Sequence, residues 1–303
     1  MSLVTLFIIS SAVALGGTIF SKLCSNNVAG QSKAKYTLFL IVNGLVACLF
    51  FWISSGFHLA LNLTTLLYSI AYALIVTVAL VSNLMVYKFA TISGVSILSS
   101  TFGLTGSLML GFLLFDENIG MKHVLRVLIM LVATFLVFLD KKKREAPPNL
   151  SRGGQKNSTL KKLAVLSAMI LSGLANTILT KSFANSKNVT DDNSFFFFTN
   201  AFIVLGALVI FFMECRKHRE QFREAIALLK PKRLISLSGN TICSNVGSLV
   251  GLQIIAQMEV SVYSPISSAI GIFLALVGSW VFRERLGILS YLAAAIACVA
   301  VIL

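Results

Sequence analysis

Gly111-Phe-Leu-Leu-Phe-Asp-Glu-Asn-Ile-Gly120 returns in pattern as Gly278-Ser-Trp-Val-Phe-Arg-Glu-Arg-Leu-Gly287. Each copy follows a long apolar run that carries a hydroxyl pair, Ser100-Thr101 in one and Ser267-Ser268 in the other, and each precedes a further apolar run. A second match, in a slightly different frame, joins Thr18-Ile-Phe-Ser-Lys22 to Thr177-Ile-Leu-Thr-Lys181. The chain therefore reads as two related halves. In a very hydrophobic protein, such duplication is the usual trace of a carrier whose halves enclose one pathway.

Composition identifies the solvent. Hydrophobic residues make up 57% of the chain, charged residues 12%, and the mean hydropathy is +0.89, whereas charged residues form about a quarter of an ordinary soluble domain. About 20 apolar residues span a bilayer as a helix. Ten such windows lie near Leu3 to Phe20, Thr37 to Ser54, Leu66 to Val86, Ile92 to Phe115 and Val124 to Leu139, then Leu163 to Thr180, Phe195 to Met213, Leu234 to Gln257, Val262 to Phe282 and Leu286 to Leu303. The expected fold is all-α and integral to the membrane, with residues 1–140 and 163–303 as two five-helix repeats joined by a basic linker, 141–162. Because five is odd, the second repeat enters from the opposite side, so the repeats are inverted.

The first span has no basic leader and no small-residue cleavage site, and reads as a permanent helix. Five scattered cysteines, without a CxxC pair, predict neither a disulfide framework nor a thiolate metal site. His58, His123 and His218 lie far apart near span ends and read as structural or solvated. No cofactor or metal is expected. The net charge of +14 is unevenly spread: of 25 Lys and Arg, all but Lys122, Arg126, Lys181 and Lys187 fall in odd-numbered loops. By the positive-inside rule these loops are cytoplasmic, which puts both termini outside an inner membrane. The basic excess thus orients the chain against an anionic membrane face, and nucleic-acid binding is not expected.

Two five-span repeats, each with a long apolar span, a short Glu-x-x-Gly turn (Glu117 to Gly120; Glu284 to Gly287) and a final apolar span, resemble the EamA-type members of the drug/metabolite transporter superfamily. Pro265, nineteen residues before Glu284, matches that family's proline in the ninth helix, whereas the first half has Leu98 at the equivalent position. Family members are generally described with cytoplasmic termini, opposite to the orientation given by the charges here. The resemblance implies a cavity lined by spans one, three and four and their mates six, eight and nine.

Polar residues inside those spans are the candidate substrate-binding set: Asn83, Ser100, Thr101, Asn176, Asn245, Gln253, Tyr263, Ser267 and Ser268, with Asn240 also on the eighth span. The same residues also suit interhelical hydrogen bonds. No Asp or Glu lies mid-span, and the first span offers Ser10, Ser11 and Thr18. An unpaired buried cation is expensive, so the substrate is expected to be neutral, zwitterionic or anionic. Lys22 and Lys181 close the two matched segments, either as side chains reaching the interface or as paired gates attracting an anion. Glu117 and Glu284 read as helix-start partners at turns in preference to proton carriers, with Gly120 and Gly287 supplying backbone freedom. Pro265 marks a hinge in the ninth span, and glycines such as Gly106 and the Gly247/Gly251 pair permit close helix approach. Glu214 to Lys230 suggests a surface amphipathic helix, and Phe195 to Phe198 a lipid-facing start to the seventh span.

The expectation is a non-enzymatic secondary transporter of a small organic metabolite, preferably an amino acid or other small carboxylate, working by alternating access. The alternative is a non-transporting accessory subunit or sensor with the same fold. The expected partners are the small-molecule substrate and the lipid bilayer, and oligomeric state leaves no mark in the sequence.

Overall fold

The structure, a computed structural model, describes residues 3–28, 33–89, 103, 106, 111–114, 120–144, 155–186, 190–217, 229–258, 263, 266, 267, 270, 277, 280, 281 and 287–302. Eight helices are described in full: α1 (Leu3–Val28), α2 (Lys33–Ser54), α3 (Leu63–Phe89), α4 (Met121–Arg144), α5 (Gln155–Asn185), α6 (Asp192–Lys217), α7 (Pro231–Gln257) and α8 (Ile288–Ile302). Among the described residues there is no strand.

Five segments are long and apolar enough to cross a membrane: Thr5–Cys24, Ala34–Ser54, Leu63–Val86, Lys162–Asn185 and Asp192–Glu214. They coincide with the first, second, third, sixth and seventh expected spans. The helices overrun the apolar windows because backbone hydrogen bonding continues through flanking polar residues. α7 covers the eighth window, α4 the fifth and α8 most of the tenth. Most of the fourth and ninth windows lies outside the described residues, including Ser100, Thr101, Pro265 and Ser268, as do Glu117, Glu284 and most of the Glu214 to Lys230 segment.

Many exposed residues on the described helices are apolar. On α3, Leu63, Leu67, Ile70, Leu74 and Val78 form an exposed stripe at helical spacing, and Leu45, Leu49 and Ile53 do the same on α2. Water would penalise such a surface, whereas hydrocarbon does not. The regular structure of the described residues is therefore all helical, and its long apolar helices are those of a membrane-embedded protein.

Cα packing resolves two compact units, each drawing on both halves of the sequence. One comprises Met1–Lys88 and Ala175–Ala256, the other Phe89–Leu174 and Gln257–Leu303. The breaks after Lys88 and Ala256 are 168 positions apart, close to the 167 that separate Gly111 from Gly278.

In the first unit, α2 lies against α6. Gly44 faces Val204, and Phe51 stacks on Phe196 at a centroid distance of 5.2 Å. Phe195 stacks on Phe183 at 4.1 Å and also meets Tyr72. Phe195 and Phe196 are 0% and 2% exposed, so the expected lipid-facing start of the seventh span is corrected. The run supplies an aromatic core because its ring partners, Phe51, Tyr72 and Phe183, sit on neighbouring helices. Asp191 caps α6 by accepting from the Ser194 N–H at 3.1 Å. The Ser194 hydroxyl in turn accepts from the Ala60 N–H at 2.9 Å, tying the α2–α3 connection to the start of α6.

α2 ends in a Schellman motif. The Phe57 N–H reaches the Trp52 carbonyl and the Gly56 N–H the Ile53 carbonyl, each at 3.0 Å, with Gly56 at φ +64°. The Trp52 and Phe57 rings meet edge-on at 5.2 Å, the apolar contact that accompanies this cap. Trp52 and Phe57 are both exposed.

In the second unit, α4 packs on α8, with Met130 and Ala133 buried on one helix and Ala293 and Ala294 on the other. Small side chains let the two backbones approach. Gly106 faces Leu174 so closely that a methyl group there would run into the leucine side chain. Gly120 and Gly287 each stand immediately before a helix, α4 and α8 respectively, and the Gly287 carbonyl accepts from the Ser290 N–H at 3.0 Å. The only left-handed glycine among the described residues is Gly56, so these two glycines serve as helix starts and not as left-handed corners.

Candidate functional site

The contact between α1 and α7 forms one wall of the site. Small residues set its depth: a Cβ on Gly16 would stand 3.1 Å from the Cys243 sulfur, and one on Gly239 would stand 2.8 Å from the Phe20 ring. Such spacing brings the two backbones close. Polar side chains fasten the same face. Ser21 donates to Asn240 Oδ1 at 2.6 Å, and the Cys24 thiol reaches the Ser236 carbonyl at 3.4 Å. One helix further on, Thr241 lies 2.7 Å from Asn43 Oδ1 in α2, and both residues are buried. The single Thr241 proton is shared with the Leu237 carbonyl, 2.9 Å away.

Above these fastenings the helices part and leave a cavity of about 320 Å³, within the first unit. From α1 it takes Ser10, Val13, Ala14, Gly17, Thr18 and Ser21. Phe39 of α2 and Leu80, Asn83 and Leu84 of α3 contribute further walls, and Asn240, Cys243, Ser244 and Gly247 close it from α7. The volume is at the lower end of the range for small-molecule sites, about 300 to 1,000 Å³.

The chemistry of the wall is that of hydroxyls and carboxamides. Thr18 satisfies its hydroxyl on the Ala14 carbonyl at 2.8 Å. Asn240 has its Oδ1 occupied by Ser21, which leaves the N–H donors of Nδ2 to offer a ligand. Ser244 and Asn83 are exposed on the wall and Ser10 is half-buried there. Among the described residues, no side-chain hydrogen bond within the protein engages these three. None of the described lining residues is charged. Among the described residues no group of His, Cys, Asp and Glu is arranged to hold a metal ion.

The sequence-expected residues divide accordingly. Asn83 is in the wall, together with Ser10, Thr18 and Asn240. Asn245 and Gln253 share α7 with Asn240 but lie outside the wall. Asn245 is buried with no hydrogen-bond partner for Nδ2 among the described residues, and Gln253 is exposed. Asn176, on α5, keeps its Oδ1 buried without a partner among the described residues. Tyr263 is hydrogen-bonded to Ser267 one helical turn on, in the second unit. The matched lysines have different surroundings. Lys181 is buried and donates to the Ile255 carbonyl at 3.0 Å, within the last turn of α7, while Lys22 is half-buried and engaged in an interaction of its own.

Ser21, Cys243 and Ser244 were not among the expected residues. Their signal is periodic: positions 10, 13, 14, 17, 18 and 21 of α1, and 240, 243, 244 and 247 of α7, follow the three- and four-residue spacing of one helix face.

Comparison with protein-family models and with curated proteins returned no match. One solved structure, described only as a crystal structure of a protein, superposes with a TM-score of 0.62 at 15% sequence identity, over 99% of this chain and 95% of its own. At that identity the similarity concerns the fold alone, and it extends along essentially the whole chain.

Proposed function

We propose that the protein is a secondary transporter that carries a small organic metabolite across a cell membrane by alternating access, with the α1/α3/α7 cavity as its substrate site. The observation that carries this reading is an open cavity with hydroxyls and carboxamides in its wall, three of whose four lining helices, α1, α2 and α3, are long and apolar enough to cross a membrane. A bundle held together only by packing has no need of exposed Ser244 and Asn83 facing an internal space. Intramembrane polar groups that line a water-filled cavity mark substrate pathways.

The full architecture proposed is ten transmembrane helices in two inverted five-helix repeats of the EamA type, in an inner membrane with both termini outside. The near-equal spacing of the unit breaks and of the matched turns supports the duplication. The amino acids and small carboxylates expected from the sequence belong to the substrate class considered, although neither matched lysine lines the cavity.

The test is flux into liposomes containing the purified chain, compared with Ser244→Leu. The larger side chain fills the cavity from an exposed position and leaves the α1/α7 fastenings in place. Substrate-dependent flux that Ser244→Leu abolishes, with unfolding temperature unchanged, is the expected result. A well-folded chain that moves no solute would instead favour the accessory-subunit or sensor reading.

A further inference from the structure

We infer that the cavity selects an uncharged, hydroxyl- or amide-bearing solute, of the chemical class of a monosaccharide or nucleoside, and discriminates against carboxylates and phosphates. This inference rests on the cavity being the substrate site. Two features of the wall carry it.

The first is charge. A carboxylate or phosphate taken out of water needs compensation, from a cation or from several donors fixed on its oxygens. The wall supplies Ser10, Thr18, Ser21, Asn83, Asn240 and Ser244, and none of the described lining residues is cationic. Lys22 follows Ser21 in sequence but is not in the wall, and Lys181 is bonded to the Ile255 carbonyl.

The second is backbone. Helix starts offer unpaired N–H groups and a positive dipole end, the other common way to hold an anion. Every described lining position falls inside a helix and beyond its first turn: 10 to 21 in α1, 39 in α2, 80 to 84 in α3 and 240 to 247 in α7. Their N–H groups are spent on intrahelical bonds. What remains is a set of neutral donors and acceptors, with Asn240 Nδ2 donating and Ser10, Asn83 and Ser244 able to do both. That set matches a solute presenting several hydroxyls or amides. The apolar patches of Val13, Phe39, Leu80 and Leu84 suit its carbon skeleton.

Cys243 provides a reporter, because it lines the cavity whereas Cys24 is buried against Ser236. Alkylation of Cys243 by a small maleimide would be followed on the detergent-purified full chain, with Cys243→Ser correcting for the other thiols. Matched solutes would be added: a hexose against its phosphate and its uronic acid, a nucleoside against its nucleotide, and free amino acids. Thermal stabilisation would be recorded in parallel.

The expected result is that an uncharged member slows alkylation roughly tenfold at about nine times its Kd, since only unliganded protein reacts. Its charged congener binds at least about tenfold more weakly, and Asn83→Leu removes the protection without lowering the unfolding temperature. A charged congener that protects equally or better overturns the inference and leaves the cavity reading intact. Solutes that stabilise the protein while leaving Cys243 alkylation unchanged bind elsewhere, and overturn the cavity reading itself. A panel in which no uncharged solute protects Cys243 also overturns the inference.

Discussion

Gly44→Ala tests the packing on which the site is built. Gly44 is buried in α2 where that helix meets α6. An added methyl would stand 2.5 Å from Val204 Cγ2 and 3.2 Å from the Asn200 carbonyl oxygen. Carbon atoms rest about 3.5 to 4.0 Å apart, so the first contact intrudes by about 1 Å. Val204 is 8% exposed, and a β-branched side chain in a helix is held in one rotamer, so it has no easy retreat. Overpacking of this kind costs about 1 to 3 kcal/mol, while exchanging glycine for alanine in a helix returns about 1 kcal/mol. The expected net loss is about 1 kcal/mol, read as a lower unfolding temperature in detergent. The sign should reverse in a Val204→Ala background, where the main clash is gone, the helical gain remains and the Asn200 oxygen still takes part of it. Refutation is clear: Gly44→Ala neutral or stabilising in the native chain, or equal effects in both backgrounds, would mean that the α2–α6 contact is looser than this geometry.

Three further substitutions probe separate devices. Gly56→Ala meets open space, so its cost is the left-handed backbone alone, about 1 to 2 kcal/mol in thermal unfolding; a neutral result would discount the Schellman cap. Thr241→Val leaves Asn43 Oδ1 without its buried donor and should cost about 0.6 to 2 kcal/mol. A double-mutant cycle with Asn43→Ala should recover that coupling, and additive single effects would deny it. Lys181→Met keeps the stem and removes the bond to the Ile255 carbonyl, one of the carbonyls near the end of α7 that lack a helical partner. Loss of a buried charge offsets the lost bond, so stability should fall by about 1 kcal/mol or less, with ligand affinity at Cys243 unchanged. Full stability with lost affinity would instead assign the lysine to the ligand.

Hydrophobic run length was enough to place the five helices that are long and apolar enough to cross a membrane. The second window, Thr37 to Ser54, differs from the Ala34–Ser54 segment only at its start, and the third, Leu66 to Val86, likewise from Leu63–Val86. Run length does not report which face is covered. Phe195 to Phe198 look the same to a hydropathy scale in lipid or in a core, and only the rings of Phe51, Tyr72 and Phe183 on other helices decide for the core. The end of α2 was legible in principle, because Ser54-Ser-Gly56 after an apolar run is a helix stop signal. Its pairing of Trp52 with Phe57 depends on backbone geometry.

The site was harder to read because its wall is made from the same residue types as a tight helix contact. On α1, Gly16 and Gly17 bring the backbone onto Cys243, yet Ser10, Ala14, Gly17 and Thr18 line open space. A stripe of small residues encodes close approach where the partner helix presents something to fill the gap, as Phe20 does opposite Gly239. It encodes a cavity where both helices present small residues to the same space, as Ser10, Ala14 and Gly17 of α1 do with Ser244 of α7. Asn83 was identified because it stands alone as a carboxamide in an apolar helix. Ser21 and Ser244 were not, because a serine in a membrane helix satisfies itself on its own backbone as readily as it faces a ligand. The distinction lies in pairs of stripes, one per helix, and becomes visible only when the fold sets α1 against α7 at the register fixed by Ser21 and Asn240.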